Sequence, residues 1–221
     1  MAERKPGISY VTEIKRDPSA VLLVLTNLFV IALAAAERWD LGAVMLIYWF
    51  QNVIIGIFNV IKMLTLKDPG GGLVPVSPGA ARSAKAFMAV FFTLHYGMFQ
   101  FGYFSFLRGE FKTADARLLF IATAAFFINH LVSFLVNFRA DSADQNIARL
   151  MVFPYARIIP MHVTIIAGGF ISLAFRGSPS AEIWILVFFL VMKAAADVRM
   201  HLAEHNPLFL PKGFPGVRRN A

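Results

Sequence analysis

The chain has 221 residues, of which 58% are apolar and only 15% are charged, and its mean hydropathy is +0.64. Soluble domains are nearer half apolar and a quarter charged, so this composition excludes an ordinary water-soluble domain; the absence of cysteine also excludes disulfide scaffolds and cysteine-ligated metal sites. The formal net charge of +8 indicates attraction to the anionic head groups of a cytoplasmic leaflet, and no nucleic-acid partner is expected.

Six apolar stretches are each long enough to cross a bilayer as a helix, which takes about 20 residues. In chain order they are residues 20–37, 42–66, 86–107, 117–138, 150–175 and 182–203. No alternation typical of strands competes with them, so the sequence predicts an all-α integral membrane protein built as a six-transmembrane-helix bundle. The Gly- and Pro-rich residues 67–85 are predicted to form the one long loop and to hold no helix.

The distribution of Lys and Arg predicts the orientation of this bundle. With six spans both termini lie on one side, which carries fourteen basic residues against five on the other. The fourteen are Arg4, Lys5, Lys15, Arg16, Lys62, Lys67, Arg82, Lys85, Arg139, Arg149, Arg199, Lys212, Arg218 and Arg219, and the five are Arg38, Arg108, Lys112, Arg117 and Arg176. Because basic segments stay in the cytoplasm, we expect a multi-pass protein of the prokaryotic inner membrane with an N-terminal segment 1–19, a membrane domain 20–205 and a basic tail 206–221, both termini being cytoplasmic.

The first apolar stretch also has features of a secretory signal. Basic residues precede it, and residues 33–36, Leu-Ala-Ala-Ala, resemble the small-residue site at which such signals are cleaved. Cleavage there would leave five spans. We expect the stretch to remain in place as an anchoring first span.

Three histidines on three different predicted spans lie at about the same depth. His95, His130 and His162 each fall near the middle of their stretch. Imidazole is the commonest protein ligand for metals, and polar residues inside a membrane are candidates for function by default. The sequence therefore predicts an intramembrane metal site for zinc, iron or copper. A haem site is the other possibility, because phenylalanines flank His95 and His130 at helical spacing and would suit a flat ring. Hydrogen bonds to neighbouring helices are the alternative explanation for each histidine.

Further polar residues in the spans are predicted to form a network that supports this site. They are Gln51, Asn52, Asn129, Arg157, Lys193 and Asp197. Asp197 can pair with Lys193 one helical turn away, or with Arg157 at a similar depth in the fifth span. Pro160, two residues before His162, has no N–H, so we expect the fifth span to be kinked there.

A weaker second site lies at the end of the last span. His201, Glu204 and His205 match the H-x-x-E-H string of inverted zinc proteases, and two histidines one turn apart can chelate a metal. Those enzymes need a further acidic ligand downstream, and none of residues 206–221 is acidic. We therefore expect a solvated helix end here.

Four short motifs lie within the predicted spans: Tyr48-Trp49-x-x-Asn52, His95-Tyr96-Gly97, Pro160-x-His162 and Asp197-x-x-x-His201. In this combination the chain resembles a family of prokaryotic multi-pass membrane proteins known only as a domain of unknown function. The resemblance covers roughly residues 20–205. It implies a multi-pass fold and brings no activity with it.

Three functions therefore stay open. The first is a membrane protein that holds a metal ion or haem among its three central histidines. The second is a structural or accessory subunit of a larger membrane complex, whose polar residues only join helices or dock other subunits. The third is a small transporter, although no internal repeat of the kind common in transporters is detectable. Nucleotide-binding loops and nucleophile-elbow motifs are absent from the sequence, so no reaction is predicted.

Overall fold

The structure is a computed structural model that describes residues 10–37, 39, 41–67, 77–110, 115–144, 147–175 and 179–205. Within these ranges the chain forms seven α-helices and no strand, which confirms the all-helical prediction. The helices are α1 (Tyr10–Arg16), α2 (Pro18–Ala36), α3 (Leu41–Thr65), α4 (Pro78–Glu110), α5 (Ala116–Asp144), α6 (Ile147–Phe175) and α7 (Pro179–His205). Residues 1–9 and the predicted tail 206–221 lie outside the described part.

Each of the six long helices α2–α7 overlaps one of the six predicted apolar stretches. In the described residues, four segments are long and apolar enough to cross a membrane. They are Pro18–Ala36, Leu41–Thr65, Ala116–Phe138 and Ile147–Ala167. Long apolar blocks form helices in this way because a helix satisfies all its backbone hydrogen bonds internally, which is what hydrocarbon demands.

Helix α4 begins earlier than the sequence predicted. The expectation that residues 67–85 hold no helix is wrong for residues 78–85, which form the first two turns of α4. Ser77 is the reason, because its hydroxyl accepts a hydrogen bond from the Ala80 N–H at 3.3 Å and so caps the helix, while Pro78 occupies the first helical position, where no N–H is needed. Residues 68–76 of the predicted loop lie outside the described part.

Helix α3 is the centre of the bundle and packs against α4, α5, α6 and α7. The side chain of Tyr48 on α3 is fully buried, with its ring 5.4 Å from that of Phe126 on α5 and 5.5 Å from that of Phe189 on α7. Aromatic rings at such distances contribute large contact areas to a core. This central position explains why polar groups of α3 meet partners from several helices.

Helix α6 continues through two prolines, Pro154 and Pro160. Because Pro160 has no N–H, the carbonyl of Ala156 lacks its usual helical donor. In the next turn, the Thr164 hydroxyl donates a hydrogen bond to the carbonyl oxygen of Pro160 at 2.8 Å. The prolines therefore lie inside one helix and do not end it.

Candidate functional site: a charged pocket at one end of the bundle

A pocket opens between α3, α5, α6 and α7, at the end of the bundle where α3 and α7 finish. The residues that line this charged pocket are Ile55, Phe58, Asn59, Lys62, His130, Ser133, Phe134, Phe153, Pro154, Arg157, His201 and Glu204. Its empty volume is about 450 Å³ including the open mouth, and the room for the centres of water molecules is about 30 Å³. Since one water needs about 10–15 Å³ on the latter measure, the pocket can hold about two waters or one small polar group.

Glu204 lies between two cationic side chains of this pocket. Its Oε1 is 2.5 Å from Nζ of Lys62, and its Oε2 is 3.1 Å from Nη2 of Arg157. The side chains of Lys62, Arg157 and Glu204 are 10%, 4% and 13% exposed, respectively. Charges buried this deeply are costly unless they are paired and hydrogen-bonded, so the shared carboxylate holds both cations in the pocket wall.

Arg149 at the start of α6 fixes the end of α7 that carries Glu204. Its Nη2 donates to the carbonyl oxygens of Ala203 and Glu204, each at 3.2 Å, and its guanidinium lies 5.5 Å from the ring centre of Phe153. A basic side chain is favourable at this place because the last carbonyls of a helix lack helical donors and carry partial negative charge. The backbone of Glu204 is thereby held against α6.

His201 joins the start of α2 to the end of α7. Its Nε2 lies 3.0 Å from Oδ2 of Asp17 and 3.1 Å from Oγ of Ser19. The Ser19 hydroxyl donates to Oδ1 of Asp17 at 2.6 Å, and Asn137 on α5 donates to the same hydroxyl at 3.1 Å. Since a carboxylate only accepts, Nε2 of His201 carries the hydrogen in the contact with Asp17. The start of α2 and the end of α7 therefore lie side by side.

Asp17 also caps α2, because its Oδ1 accepts hydrogen bonds from the backbone N–H groups of Ser19 at 2.9 Å and Ala20 at 3.2 Å. Partial burial by itself would raise the pKa of Asp17. The hydrogen bonds from His201, Ser19 and Ala20, together with the charge of His201, outweigh burial and hold the pKa of this carboxyl well below its ordinary value of 3.8. The carboxylate form is the one that the folded protein favours.

This lowered pKa predicts a pH dependence of stability. A group whose pKa is lower in the folded state stabilises the fold above its unfolded pKa, and that contribution is lost as the pH falls through the folded pKa. The thermal midpoint in detergent should therefore fall on acidification below about pH 4, and Asp17→Asn should show a smaller fall. Asp115→Asn removes the charge of an exposed residue whose Oδ1 also caps a helix (2.7 Å to the Arg117 N–H), and it serves as the control. Equal acid sensitivity of Asp17→Asn and the control would contradict the prediction.

Deeper in the bundle than the charged pocket lies a fully buried ion pair within α7, and Gln51 of α3 is hydrogen-bonded to it. Nζ of Lys193 lies 2.6 Å from Oδ1 of Asp197, and both side chains are 0% exposed. Nε2 of Gln51 donates to Oδ2 of the same carboxylate at 2.9 Å, and Nζ of Lys193 lies 5.4 Å from the ring centre of Tyr48. Of the two partners expected for Asp197, the structure selects Lys193, and Arg157 pairs with Glu204 instead.

Gln51 connects this ion pair to the charged pocket. Its Nε2 is 3.4 Å from Nε2 of His130, which lines the pocket. An amide nitrogen is only a donor, and the contact with Asp197 orients it towards the carboxylate, so the ring nitrogen of His130 that faces Gln51 is the acceptor. His130 is therefore in the neutral form, with its hydrogen on Nδ1. A row of hydrogen-bonded groups leads from the pocket to the middle of the bundle.

The three histidines predicted as metal ligands each have a different partner. His95 Nδ1 is hydrogen-bonded to the Tyr155 hydroxyl at 2.6 Å, Nδ1 of His162 is hydrogen-bonded to the Tyr103 hydroxyl, and His130 lines the charged pocket. Among the residues that the structure describes, no group of three His, Cys, Asp or Glu side chains could hold a metal ion. The two Tyr–His bonds instead join α4 to α6, as the alternative explanation by helix-to-helix hydrogen bonds anticipates.

The remaining predicted residues of the network are buried in the bundle. Asn52 and Asn129 are 0% and 1% exposed. In the described part, neither side-chain polar atom of Asn52 has a hydrogen-bond partner, and the same holds for Oδ1 of Asn129. The observed role of Asn52 lies in its backbone, since its carbonyl accepts a hydrogen bond from the Tyr96 hydroxyl at 3.0 Å.

The predicted second site at the end of α7 is divided between two surroundings. His201 is 3% exposed and bonded to Asp17, so the expectation of a solvated helix end is wrong for this residue. The side chain of His205 lies outside the described part. Sequence reasoning also missed the role of Lys62, which is 142 residues from its partner Glu204. Glu204 belongs to the H-x-x-E-H string, and its position on the face of α7 that carries Asp197 and His201 is a second signal.

Comparison with known proteins finds one family model that matches residues 10–209, and its description is Family of unknown function (DUF6498). The match extends past both ends of the range 20–205 over which the sequence resembles a family of unknown function, and it confirms that resemblance. No curated protein and no solved structure matches the chain. The geometry of the chain itself is therefore what indicates its function.

Proposed function

Because this chain belongs to DUF6498, a family of unknown function, we propose its function from the charged pocket: it is an integral membrane protein that binds a small polar ligand there. The observation that carries the proposal is the burial of Lys62, Arg157 and Glu204 around an open pocket in a largely apolar bundle. Ionisable groups in apolar helices are expensive to bury, and they are retained mainly where they have a function.

The proposed membrane topology has six crossings and both termini in the cytoplasm. Helices α2–α7 would cross the bilayer six times, and the contact between Asp17 and His201 supports an even number of crossings, since it joins the start of α2 to the end of α7. The excess of Lys and Arg on that side supports a cytoplasmic location for both termini and for the mouth of the pocket. A bend of α6 at Pro160, three residues from Arg157, would give the pocket its irregular wall. The prokaryotic inner membrane is the proposed location.

A transporter of the same ligand is the second candidate. The contacts that lead from His130 through Gln51 to Asp197 favour it, because they continue the polar lining of the pocket towards the middle of the bundle. The metal or haem hypothesis has less support, since His95 and His162 are engaged with tyrosines. The alternative to both candidates is an accessory subunit that binds no ligand, and the experiment below distinguishes it from them.

The absence of cysteine from the chain makes the pocket directly testable. Ser133 lines the pocket and is 8% exposed, so a Ser133→Cys variant carries a single thiol there with little change in size. We expect this thiol to react with a membrane-impermeant, anionic methanethiosulfonate reagent in inside-out vesicles and not in intact cells. Ala122→Cys, on the same helix α5 and 0% exposed in the core, is the matched control and should stay unreactive from both sides.

Three outcomes of this labelling are informative. Reaction of Ser133→Cys from the cytoplasmic side supports both the pocket and the orientation. Reaction only from outside would show that the proposed orientation is wrong. If the variant is folded and reacts from neither side, the pocket is closed to water and the ligand-binding proposal fails in favour of an accessory subunit.

A further inference from the structure

Arg157 has hydrogen-bonding capacity that no neighbour uses. The residue is 3% exposed and lines the charged pocket, and its Nη2 is bonded to Glu204. Its Nε has no hydrogen-bond partner among the described residues. Leaving a buried charged donor without an acceptor costs more than a hydrogen bond gains, so such a group calls for a partner. An acceptor that enters the pocket would supply it.

The other polar side chains at the pocket indicate the chemistry of that acceptor. The ammonium group of Lys62 is a hydrogen-bond donor, and it lines the pocket together with Arg157. The carboxylate of Glu204 is already shared between the two cations. The unpartnered N–H of a guanidinium can donate to an oxygen of a carboxylate or a phosphate group, and ligands of either kind carry the negative charge that two cations favour.

We propose that the charged pocket binds an oxyanion, which accepts a hydrogen bond from Nε of Arg157 and is attracted by Lys62. This inference rests on the proposed function and gives its ligand a chemical class. The room of about 30 Å³ admits only a small anionic group, so the remainder of a larger ligand would extend out of the pocket. The oxyanion could come from a free solute or from the head group of an anionic lipid, because both present the same anionic oxygens and basic pockets between membrane helices bind lipid head groups.

The test uses the Ser133→Cys protein in nanodiscs of phosphatidylcholine and the same anionic thiol reagent. Sodium phosphate and sodium acetate are compared with sodium chloride at equal ionic strength and pH. We expect phosphate or acetate to slow the reaction in a saturable way, by about tenfold at ten times the dissociation constant. In a second arm, nanodiscs that contain phosphatidylglycerol replace the added salts. Protection there without added oxyanion assigns the lipid head group as the source.

Arg157→Lys in the same background tests the residue itself. It keeps the positive charge beside Glu204 and removes Nε, and the loss of one charge-assisted hydrogen bond should raise the concentration for half-protection about tenfold or more. Arg117→Lys, at the exposed start of α5, makes the same chemical change away from the pocket and should leave protection unchanged. Equal protection of Arg157→Lys and Arg117→Lys would overturn the role of Arg157.

The Ser133→Cys protein that retains Arg157 tests the ligand class even if the Arg157→Lys variant does not fold. If Ser133→Cys reacts but phosphate, acetate and phosphatidylglycerol all fail to protect it, the oxyanion inference is wrong while the pocket stands. Protection by tetramethylammonium chloride instead would show a site for cations and would equally overturn it. If Ser133→Cys does not react at all, the proposed function fails, and the inference fails with it.

Discussion

Replacement of Asp197 by Ala should lower the free energy of unfolding by about 3–5 kcal/mol, as losses from broken buried ion pairs in soluble proteins suggest. Asp197 is 0% exposed and is bonded to Lys193 at 2.6 Å and to Gln51 at 2.9 Å. Its removal strands a buried ammonium group that water cannot reach, and the amide of Gln51 loses an acceptor as well. Thermal unfolding and denaturant titration in a single detergent would measure the loss.

The partner of Asp197 can be identified by a double-mutant cycle. Lys193→Met removes the ammonium group at similar volume, so the combination Lys193→Met with Asp197→Ala should be more stable than the sum of the single losses allows. Glu37→Ala, at the exposed end of α2, is the control for loss of an acid and should change stability little. Full additivity of the two losses would mean that Lys193 and Asp197 do not interact.

Replacement of Gly56 by Ala should destabilise the bundle, although alanine favours helices. A Cβ atom at this position would lie 2.8 Å from Cε1 of Tyr96, closer than such atoms approach. The tyrosine ring cannot easily move away, because its hydroxyl is bonded to the carbonyl of Asn52 and its ring stacks on Phe92 at 4.9 Å. Overpacking of this kind costs about 1–3 kcal/mol, against a gain of about 1 kcal/mol in helix propensity.

Gly102 provides the matched control for this substitution. It lies in helix α4, and a Cβ atom added there would meet nothing within 4 Å. Gly102→Ala should therefore be neutral or stabilising by up to about 1 kcal/mol, while Gly56→Val should be worse than Gly56→Ala. Equal thermal midpoints for Gly56→Ala and Gly102→Ala would show that α3 and α4 are not packed this closely.

Two errors of sequence reasoning show where its limits lie. The start of α4 was placed too late because the prediction used the content of glycine and proline and not their positions. Proline at the first position of a helix favours the helix, and Pro78 occupies that position with Ser77 as the cap. The end of α7 is expected from the sequence to be solvated because no acidic residue follows to complete a metal site with His201 and His205. His201 is instead buried, since Asp17 and Ser19 at the start of the neighbouring helix α2 lie against it.

The sequence by itself determined that the chain is helical and apolar, where its long helices lie, and that Arg157, Lys193 and Asp197 fall within them, because these properties depend on composition and on local spacing. Only the tertiary structure decided which polar groups meet. Equal depth did not bring His95, His130 and His162 to one metal-binding group, because depth along a helix leaves the direction of a side chain around the axis undetermined. The contact between Lys62 and Glu204 could not be predicted for the same reason. It depends on how α3 and α7 are rotated about their axes when they pack, and no pattern within either helix specifies that rotation.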